Sequence, residues 1–459
     1  MTTGNSQPAA AAPKRRSYRV TPDRLVWLVL VVEGLLWLAE RLGCFPKGYA
    51  VLLAVASVAV AMLLMLLWFA ASLVFRWRFQ FSIGSLLVLA VAVAMASGWF
   101  MTRINESRAQ ERAVAGIERL KGLVGYDYQG YGPDDNFDFG WWYDSYFRAP
   151  PQNGPGPACL CRMLGKDFFS DVARVGVTDD GGIAYLEDLP RLQTVDFGDL
   201  TEAGIERIPE LPGVRCVWLS HITSKLVNKL NELRACRVLY AHQATDVELA
   251  DLKAWPRLRR LDLFNSRVSD NGLRYLKALP ELEALNVCTG RITDSGLKHL
   301  GALRELQSLE LGGNPITDAG ILHIRTLPRL KYLGLQATGV TDAGLERLNV
   351  LPELECLDIS DTGTTDAGLR YLTSMPSLHE LVIDCERLSD TGVKYLGAMP
   401  RLRKLYVGSR STDEHVELLK RLSNLEVLVL INSLMTPPGL KRLANGLPSC
   451  KVDTVECRN

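Results

Sequence analysis

The chain has 459 residues, and its 52 Lys and Arg residues balance 51 Asp and Glu residues. This length allows several structural units, and the near-neutral net charge gives no electrostatic argument for nucleic acid as a partner. The ten cysteines and six histidines show no zinc-site spacing, so we expect no metal and no other cofactor.

The first hundred residues predict a membrane-bound region. Residues 1–24 are rich in Ala, Pro, Ser and basic residues, which predicts a disordered tail. Apolar runs at 25–42, 49–75 and 83–101 then predict a transmembrane region over 25–101. The first run contains two glutamates and has marginal length, so a cleaved signal peptide is its alternative. Buried core helices are the alternative for the other two runs.

The charges beside the three apolar runs leave the orientation tied. With three spans, seven Lys or Arg residues flank each side of the membrane, so the positive-inside rule favours neither side. Three spans with the basic tail in the cytosol place the rest of the chain outside it, whereas two spans return it to the cytosol. We expect the first arrangement, a multi-pass protein whose C-terminal domain lies on the non-cytoplasmic side.

Residues 102–157 predict a connecting region. Glu106–Leu123 has apolar residues at helical spacing among charges, which predicts a juxtamembrane helix. Tyr126–Pro157 is irregular and rich in Tyr, Trp, Asp, Gly and Pro. Its aspartates lack the spacing of a calcium-binding loop, so we interpret it as a solvated loop. Its aromatic side chains are expected to cover the first repeat or to contact lipid head groups.

Residues 158–459 predict a repeat domain with an N-terminal cap. The cap is predicted as a helix at Ala158–Phe169 followed by a strand at Val172–Val177. Cysteines lie near both ends of the domain: Cys159, Cys161, Cys450 and Cys457. They could form disulfides if the domain lies outside the cytosol, and free thiols are the alternative.

A short element recurs through this domain. Ser or Thr followed by Asp-x-Gly occurs every 24 residues, with the hydroxyl residue at 269, 293, 317, 341, 365 and 389. In the unit Thr341–Asp361, Thr341 is expected to cap a helix and Pro352 to end it, and Leu357 and Ile359 follow with the alternation of a strand. About twelve units of 22–24 residues predict an α/β leucine-rich repeat solenoid preceded by transmembrane α-helices.

This L-x-x-L-x-L strand and T-D-x-G helix pattern resembles the repeats of bacterial leucine-rich repeat proteins, which are abundant in planctomycetes. It is also similar to the repeats of F-box proteins and of ribonuclease inhibitor. The resemblance covers Val172 to the C-terminus and implies the fold, but it implies almost nothing about function. The segment Arg78–Leu87 looks like the membrane anchor that precedes the repeats in the bacterial family. No F-box-like segment is recognisable upstream, so a ubiquitin-ligase role is not implied.

Two rows of polar side chains recur once per unit. The aspartates of the T-D-x-G element are expected to cap helices, and a cation-binding row is the alternative. A second row, three residues after the glycine, includes His299 and His323. We interpret this row as flat side chains packed between helices, with a metal pair as the alternative.

The strand residues that alternate with the buried leucines are expected to face the concave side of the solenoid. Trp218, Tyr240 and Phe264 are expected to cluster there near the N-terminal end, beside carboxylates. Exposed aromatic residues on a rigid wall are typical of binding hot spots, and cover by loops or by residues 126–147 is the alternative. The predicted ligand-binding residues are Trp218, Tyr240, Asp262, Phe264, Glu310, Tyr332 and Asp358.

The chain contains no nucleophile elbow, phosphate-binding loop or zinc signature. We therefore expect a membrane-anchored, non-enzymatic recognition module that binds a protein, peptide or glycan through its concave face. The lipid bilayer is its other expected partner. A structural spacer or self-associating envelope component is the alternative function. An enzyme with its site in residues 126–170 has no motif to support it.

Overall fold

The computed structural model describes residues 22–42, 48–74, 83–127, 158–384, 388–408 and 411–455. The predicted disordered tail up to residue 21, the predicted irregular segment beyond residue 127 and Cys457 lie outside these residues. The chain divides into two compact units. The first comprises Met1–Ala109 and Gly154–Ser170, and the second comprises Gln110–Asn153 and Asp171–Asn459.

The first unit is helical. Its described helices are α1 (Pro22–Arg41), α2 (Tyr49–Val74), the N-terminal part of α3 (Ile83–Arg119), α4 (Ala158–Leu164) and the 3-10 turn Lys166–Phe168. Small and β-branched side chains pack where the three long helices meet: Val29, Val58, Ala61, Ala92 and Ala96. Such residues allow helix backbones to approach closely, as they do in membrane helix bundles.

Two helices in the described residues are long and apolar enough to cross a membrane, Tyr49–Leu67 within α2 and Leu86–Arg119 within α3. They overlap the second and third predicted spans. The first predicted span forms helix α1 but is not one of these two. Helix α3 runs unbroken to Arg119, although the sequence predicts a separate juxtamembrane helix there. The physical reason is that residues 101–115 contain neither Pro nor Gly to end the helix.

The second unit is a solenoid built on one fourteen-stranded sheet whose strands follow one another in chain order. Strand β1 pairs antiparallel with β2, and all later neighbours are parallel. The strands are β1 (Val124–Tyr126), β2 (Val172–Val177), β3 (Thr194–Phe197), β4 (Cys216–Leu219), β5 (Val238–Ala241), β6 (Arg260–Asp262), β7 (Ala284–Asn286), β8 (Ser308–Glu310), β9 (Tyr332–Gly334), β10 (Cys356–Asp358), β11 (Glu380–Ile383), β12 (Lys404–Val407), β13 (Val427–Ile431) and β14 (Lys451–Val455).

Short helical segments return the chain from each parallel strand to the next. The α-helices are α5 (Glu202–Glu206), α6 (Ser224–Leu230), α7 (Asp246–Asp251), α8 (Asp270–Leu273), α9 (Asp294–Leu297), α10 (Asp318–Ile324), α11 (Asp342–Leu348), α12 (Asp366–Leu372), α13 (Asp390–Ala398), α14 (Val416–Leu419) and α15 (Pro437–Gly446). The 3-10 helices are Gly182–Asp188, Leu252–Ala254, Arg274–Ala278, Leu300–Ala302 and Asp413–His415.

Strand alternation buries one face of this sheet against the helices. One inward residue per strand lies in register and is at most 2% exposed: Val175, Val195, Val217, Leu239, Leu261, Leu285, Leu309, Leu333, Leu357, Leu381, Leu405 and Leu428. Burying each such side chain contributes about 1.5–3 kcal/mol. A slip of one residue would expose the whole row, so the register is strongly fixed. We call the opposite side of the sheet the outer face.

The N-terminal end of the core is covered by residues 110–126. Ala113, Val114 and Ile117 of α3 belong to the same hydrophobic cluster as the inward strand residues. The Gln110 Oε1 atom accepts from the Val172 N–H at 3.1 Å. The sequence predicts that Ala158–Phe169 covers this end, but the structure places those residues in the helical unit. The physical reason is that the apolar side chains of Phe168 and Phe169 are buried there with Val51.

The T-D-x-G element joins each unit to the next. In one example, Asp270 Oδ1 accepts from the Thr293 N–H at 2.8 Å, and Asp270 Oδ2 accepts from the Thr293 hydroxyl at 2.6 Å. The same hydroxyl accepts from the Ser295 N–H at 3.2 Å and so caps its own helix. Charge-assisted hydrogen bonds of this kind are stronger than neutral ones. Thr therefore serves as the helix cap, and Asp serves as the link between units.

The glycine of the element makes room for that link. A Cβ at Gly296 would lie 2.3 Å from Asp270 Oδ1, which is far inside van der Waals contact. Gly296 is in helix α9, so it is present for space and not for a left-handed backbone. The link recurs in eight pairs: Asp180–Thr201, Asp246–Ser269, Asp270–Thr293, Asp294–Thr317, Asp318–Thr341, Asp342–Thr365, Asp366–Ser389 and Asp413–Thr436. These aspartates therefore do more than the predicted helix capping.

Two of the units without the glycine satisfy the N–H of their helix cap with one of their own side chains. Glu248 occupies the glycine position and accepts from the Thr245 N–H at 2.9 Å. His415 occupies it in a later unit, where its Nδ1 atom accepts from the Thr412 N–H at 3.1 Å. Asp390 precedes that unit and pairs with Arg421 at the surface. In these two units the side chain at the glycine position therefore supplies the acceptor itself.

The role of the aspartate can be tested by a double-mutant cycle. We expect Asp270→Ala to lower the free energy of unfolding by about 1–2 kcal/mol, because it removes two charge-assisted hydrogen bonds. Gly296→Ala should also destabilise the wild type, because its methyl group would collide with the Asp270 carboxylate. In the Asp270→Ala background the same change should cost at least about 1 kcal/mol less. Urea unfolding followed by circular dichroism measures each value.

Asp390→Ala is the matched control for this cycle. Asp390 holds the equivalent helix position, but it forms a surface ion pair with Arg421 instead of the link. Its loss should change the free energy of unfolding by less than about 0.5 kcal/mol. Additive effects of Asp270→Ala and Gly296→Ala would contradict the proposed role of glycine.

Candidate functional site

The outer face carries a row of side chains held side by side by the parallel strands. Asp196 of β3, Trp218 of β4, Tyr240 of β5 and Asp262 of β6 are direct register partners. Neighbouring strands lie about 4.8 Å apart, so side chains in one row touch. The order of the residues along this row therefore determines which side chains contact one another on the outer face.

Five of these residues form what we call the N-terminal aromatic cluster: Arg174, Trp218, Tyr240, His242 and Phe264. The Trp218 and Tyr240 rings stack with centroids 3.6 Å apart and planes 9° apart. The Arg174 Cζ atom lies 5.1 Å from the Trp218 ring centroid. The His242 ring is edge-on to both neighbours, and its centroid lies 6.1 Å from the Trp218 ring centroid and 6.1 Å from the Phe264 ring centroid. All five side chains are half-buried, so the cluster is ordered and still partly accessible.

The sequence predicts that Trp218, Tyr240 and Phe264 lie together, and the structure brings them together through His242. Sequence reasoning missed His242 and Arg174. His242 lies two residues after Tyr240, as Phe264 lies two residues after Asp262. Strand alternation therefore predicts that His242 lies on the outer face beside Phe264. Arg174 lies two residues before Gly176, which pairs with Asp196 in register.

Carboxylates border the cluster on both sides. Burial raises the pKa of Asp196, and the nearby charges of Arg174 and His242 oppose that rise. Asp262 is buried, its Oδ1 atom accepts from the Phe264 N–H at 2.8 Å, and Asn286 Nδ2 donates to its Oδ2 atom at 3.1 Å. Burial also raises the pKa of Asp262. The cluster thus presents aromatic rings, Arg174 and His242 between two bordering carboxylates, Asp196 and Asp262.

Glu310 and Tyr332 lie further along the outer face and are buried, although the sequence predicts them as ligand contacts. Glu310 is 1% exposed. It accepts from the Tyr332 hydroxyl at 2.7 Å, from Gln336 Nε2 at 2.8 Å and from Cys288 Sγ at 3.2 Å. Its carboxylate lies over Gly334, where a side chain would collide with it. Glu310 and Tyr332, both predicted as ligand contacts, are therefore hydrogen-bonded to each other. Burial raises the pKa of Glu310.

Asp358 is also buried, so it too differs from the expectation of a ligand contact. Its Oδ1 atom accepts from the Ser360 N–H at 2.9 Å and from the Ser360 hydroxyl at 2.7 Å. Burial raises its pKa to about 7, and the charges of Glu310 and Asp384 act in the same direction. Of the seven predicted residues, Asp262, Glu310, Tyr332 and Asp358 form the buried floor of the outer face. Trp218, Tyr240 and Phe264 remain partly accessible.

Cysteine and histidine give no second site in the described part of the chain. No group of three or more His, Cys, Asp or Glu side chains there could hold a metal ion. Cys159, Cys161 and Cys450, which the sequence offers for disulfides, carry free thiols. Burial raises the pKa of the Cys288 and Cys356 thiols, which makes them poor nucleophiles.

Comparison with known proteins agrees with the repeat architecture. A family model described as "Leucine Rich repeat" matches residues 303–324. A search of curated proteins finds no match. Among solved structures, an internalin from Listeria monocytogenes has 20% identity and a TM-score of 0.39, and the match covers 64% of this chain and 92% of that chain. Internalin C2 of the same organism has 25% identity and a TM-score of 0.33, covering 50% and 84%.

The matched repeat and the ordered parallel sheet together support a leucine-rich repeat fold. The fourteen strands in chain order, joined by short helical segments, fit the predicted α/β leucine-rich repeat solenoid. Such a fold is typical of a protein-interaction module, since a stack of units exposes a long preformed surface. Fold alone does not identify the partner, so function must be argued from the outer face.

The raised pKa of Asp358 predicts a specific pH dependence of stability. Because the folded pKa is about 7 and the usual value is 3.8, the folded chain retains this proton over a range in which the unfolded chain loses it. Stability contributed by this group therefore falls as the pH rises from about 4 to about 7. Asp358→Asn should remove the effect and stabilise the protein at pH 8 by an amount on the order of 2–4 kcal/mol.

Urea unfolding of both proteins at several pH values measures this difference. The stability difference between variant and wild type should be small near pH 4 and should reach its full size above pH 7. Glu346→Gln, on an exposed helix position, is the control and should show no such trend. A constant difference across this range would contradict the assignment.

Proposed function

We propose that this protein is a membrane-anchored interaction module that binds a protein or peptide through the N-terminal aromatic cluster. The observation that carries the proposal is the row of partly accessible aromatic rings, with Trp218 stacked on Tyr240 at 3.6 Å. Aromatic and arginine side chains dominate the energetics of protein interfaces. They are fixed here by strands, so little conformational entropy is lost when a partner binds.

The geometry favours a peptide or protein over a glycan as the partner. Tyr240 and Arg174 approach Trp218 from strands on opposite sides of β4. The indole faces are therefore engaged within the protein, and a sugar ring has no open Trp218 face on which to stack. What remains accessible is a set of ring edges beside Asp196, His242 and Arg174. Such a mixed polar and aromatic surface suits side chains and backbone groups of a polypeptide.

The helical unit supports the proposal of a membrane anchor. Helices α2 and α3 each contain a segment long and apolar enough to cross a bilayer, and many large apolar side chains on them are exposed. Exposed residues of this kind include Leu63, Leu66, Leu87 and Met95. A lipid environment would cover this surface, which would otherwise favour aggregation in water.

The binding site can be tested by substitution on the outer face. We expect Trp218→Ala and Tyr240→Ala each to weaken capture of the partner at least tenfold, since each removes a large half-buried ring. Partners are recovered by proximity labelling in intact cells and then measured with purified protein. Tyr406→Ala is the matched control, because Tyr406 holds the same outward register position in β12. It should leave capture unchanged.

Two results would count against the proposed site. Equal capture by wild type, Trp218→Ala and Tyr240→Ala would remove the cluster from the interface. Cross-linking that recovers only further copies of this chain would favour the alternative of a self-associating structural component.

Membrane anchoring predicts the behaviour of the full-length chain on extraction. We expect it to remain in the membrane pellet after alkaline carbonate and to enter solution with detergent, because helices α2 and α3 cross the bilayer. A chain that is soluble without detergent would contradict the anchor. Protease added to sealed vesicles of either orientation then shows which side carries the solenoid.

A further inference from the structure

A buried acidic side chain lies in the helical unit, apart from the outer face. Glu33 of α1 is 3% exposed. Among the described residues, neither of its carboxylate oxygens has a hydrogen-bond partner. The other glutamate of this helix, Glu40, accepts from the Gly48 N–H at 3.4 Å. Glu33 is therefore a polar group that the helical unit does not itself satisfy.

Glu33 lines a cavity of about 440 Å³ between α1 and α3. The remaining lining is mostly aromatic, apolar or small: Gly34, Trp37, Met95, Ala96 and Trp99. Gly34 contributes no side chain, and no neighbouring atom lies within 4 Å of the Cβ that it lacks. The cavity is thus large enough for a small organic group and contains one acidic side chain.

The cavity lies close to Trp and Arg residues of helices α1 and α3. Trp37 and Arg41 follow Glu33 by one and two helical turns, and Arg103 follows Trp99 by one turn. The Arg41 Cζ atom lies 5.2 Å from the Trp37 ring centroid, so this ring already faces a cation. Tryptophan and arginine mark the level of lipid head groups in membrane proteins. Glu33 lies about 12 Å along the helix from Arg41, at 1.5 Å per residue, on the apolar side of that level.

An acidic side chain in such a place needs a partner or loses its charge. Intramembrane carboxylates are expensive and commonly mark a ligand or proton site. Aromatic rings beside a carboxylate are the groups that recognise an organic ammonium ion, through charge and through cation–π attraction. A metal ion would require several oxygen ligands, and the cavity lining offers one carboxylate.

We propose that this cavity binds the ammonium head group of an amphiphile, with Glu33 as its counter-ion and Trp99 as an aromatic wall. The apolar tail of the ligand would leave along the exposed apolar surface of the helices. The same chemistry is present in an aminophospholipid and in a soluble alkylammonium ion. The site is independent of the partner of the solenoid, so either proposal can fail alone.

The test uses purified full-length protein in an uncharged maltoside detergent. Equilibrium binding of n-octylammonium is measured, with n-octyl sulfate as the probe of opposite charge. We expect the wild type to bind the ammonium probe in preference to the sulfate. Glu33→Gln should weaken ammonium binding at least about tenfold, because it removes the charge and retains the shape. Glu40→Gln, on the same helix, should bind as the wild type does.

A second variant keeps the test decisive if Glu33→Gln does not fold. Trp99→Leu retains an apolar side chain and should weaken ammonium binding several-fold. The proposal is overturned if the wild type does not prefer the ammonium probe, or if Glu33→Gln or Trp99→Leu binds it like the wild type. Equal ammonium binding by Glu33→Gln and the wild type would mean that Glu33 is not the counter-ion.

A lipid arm identifies the source of the ammonium group. The chain is placed in nanodiscs of phosphatidylethanolamine mixed with phosphatidylglycerol of the same acyl chains, and retained lipid is measured by native mass spectrometry. Retention of phosphatidylethanolamine by the wild type and its loss in Glu33→Gln would assign the site to a lipid head group. Equal retention by both proteins would overturn that assignment and leave the soluble ammonium ion as the ligand.

Discussion

The solenoid depends on one contact between successive units, a carboxylate that holds both the N–H and the hydroxyl of the next helix cap. The contact joins residues 23 positions apart in its regular form, as between Asp270 and Thr293. It therefore sets the spacing between units at the helical side, while the buried leucines set the strand register. The strand register places Asp196, Trp218, Tyr240 and Asp262 in one row. The candidate site is thus a consequence of stacking and needs no special loop.

Two units that depart from the T-D-x-G motif still provide an acceptor for the N–H of the helix cap. Where glycine is replaced by Glu248 or His415, that side chain takes over the N–H that an aspartate would otherwise hold. The cap N–H is one of the free donors at a helix start, and leaving it unsatisfied would cost stability. Glu248 and His415 thus replace the missing aspartate contact in their units, and the sheet stays continuous there.

The sequence predicted the solenoid because its period, its alternation and its capping residues act locally. It predicted the grouping of Trp218, Tyr240 and Phe264 for the same reason, since register follows from the period. It did not predict that Glu310 would fold over Gly334 against Tyr332, because alternation gives a side chain's direction and not what its neighbours leave open. It also predicted that the helix Ala158–Phe169 covers the N-terminal end of the core, whereas residues 110–126 cover it. The apolar residues Phe168 and Phe169 can be buried by more than one partner, and only the tertiary structure shows that they pack with Val51.

Some carboxylates of this solenoid have pKa values that are shifted in opposite directions. Hydrogen bonds from Thr436 lower the pKa of Asp413, so the stability that this link contributes is present above the usual aspartate pKa and is lost as the pH falls. On the outer face burial dominates, and it raises the pKa of Asp262, Glu310 and Asp358. Each of these three contributes stability in its neutral form that is lost as the pH rises, and for Asp358 the folded pKa is about 7. The fold therefore favours the charged form of Asp413 and the neutral form of the buried carboxylates. Because Asp262 lies next to Tyr240 and Phe264, a cationic group of a partner bound at the proposed site would favour its ionised form, and binding would then be coupled to proton release.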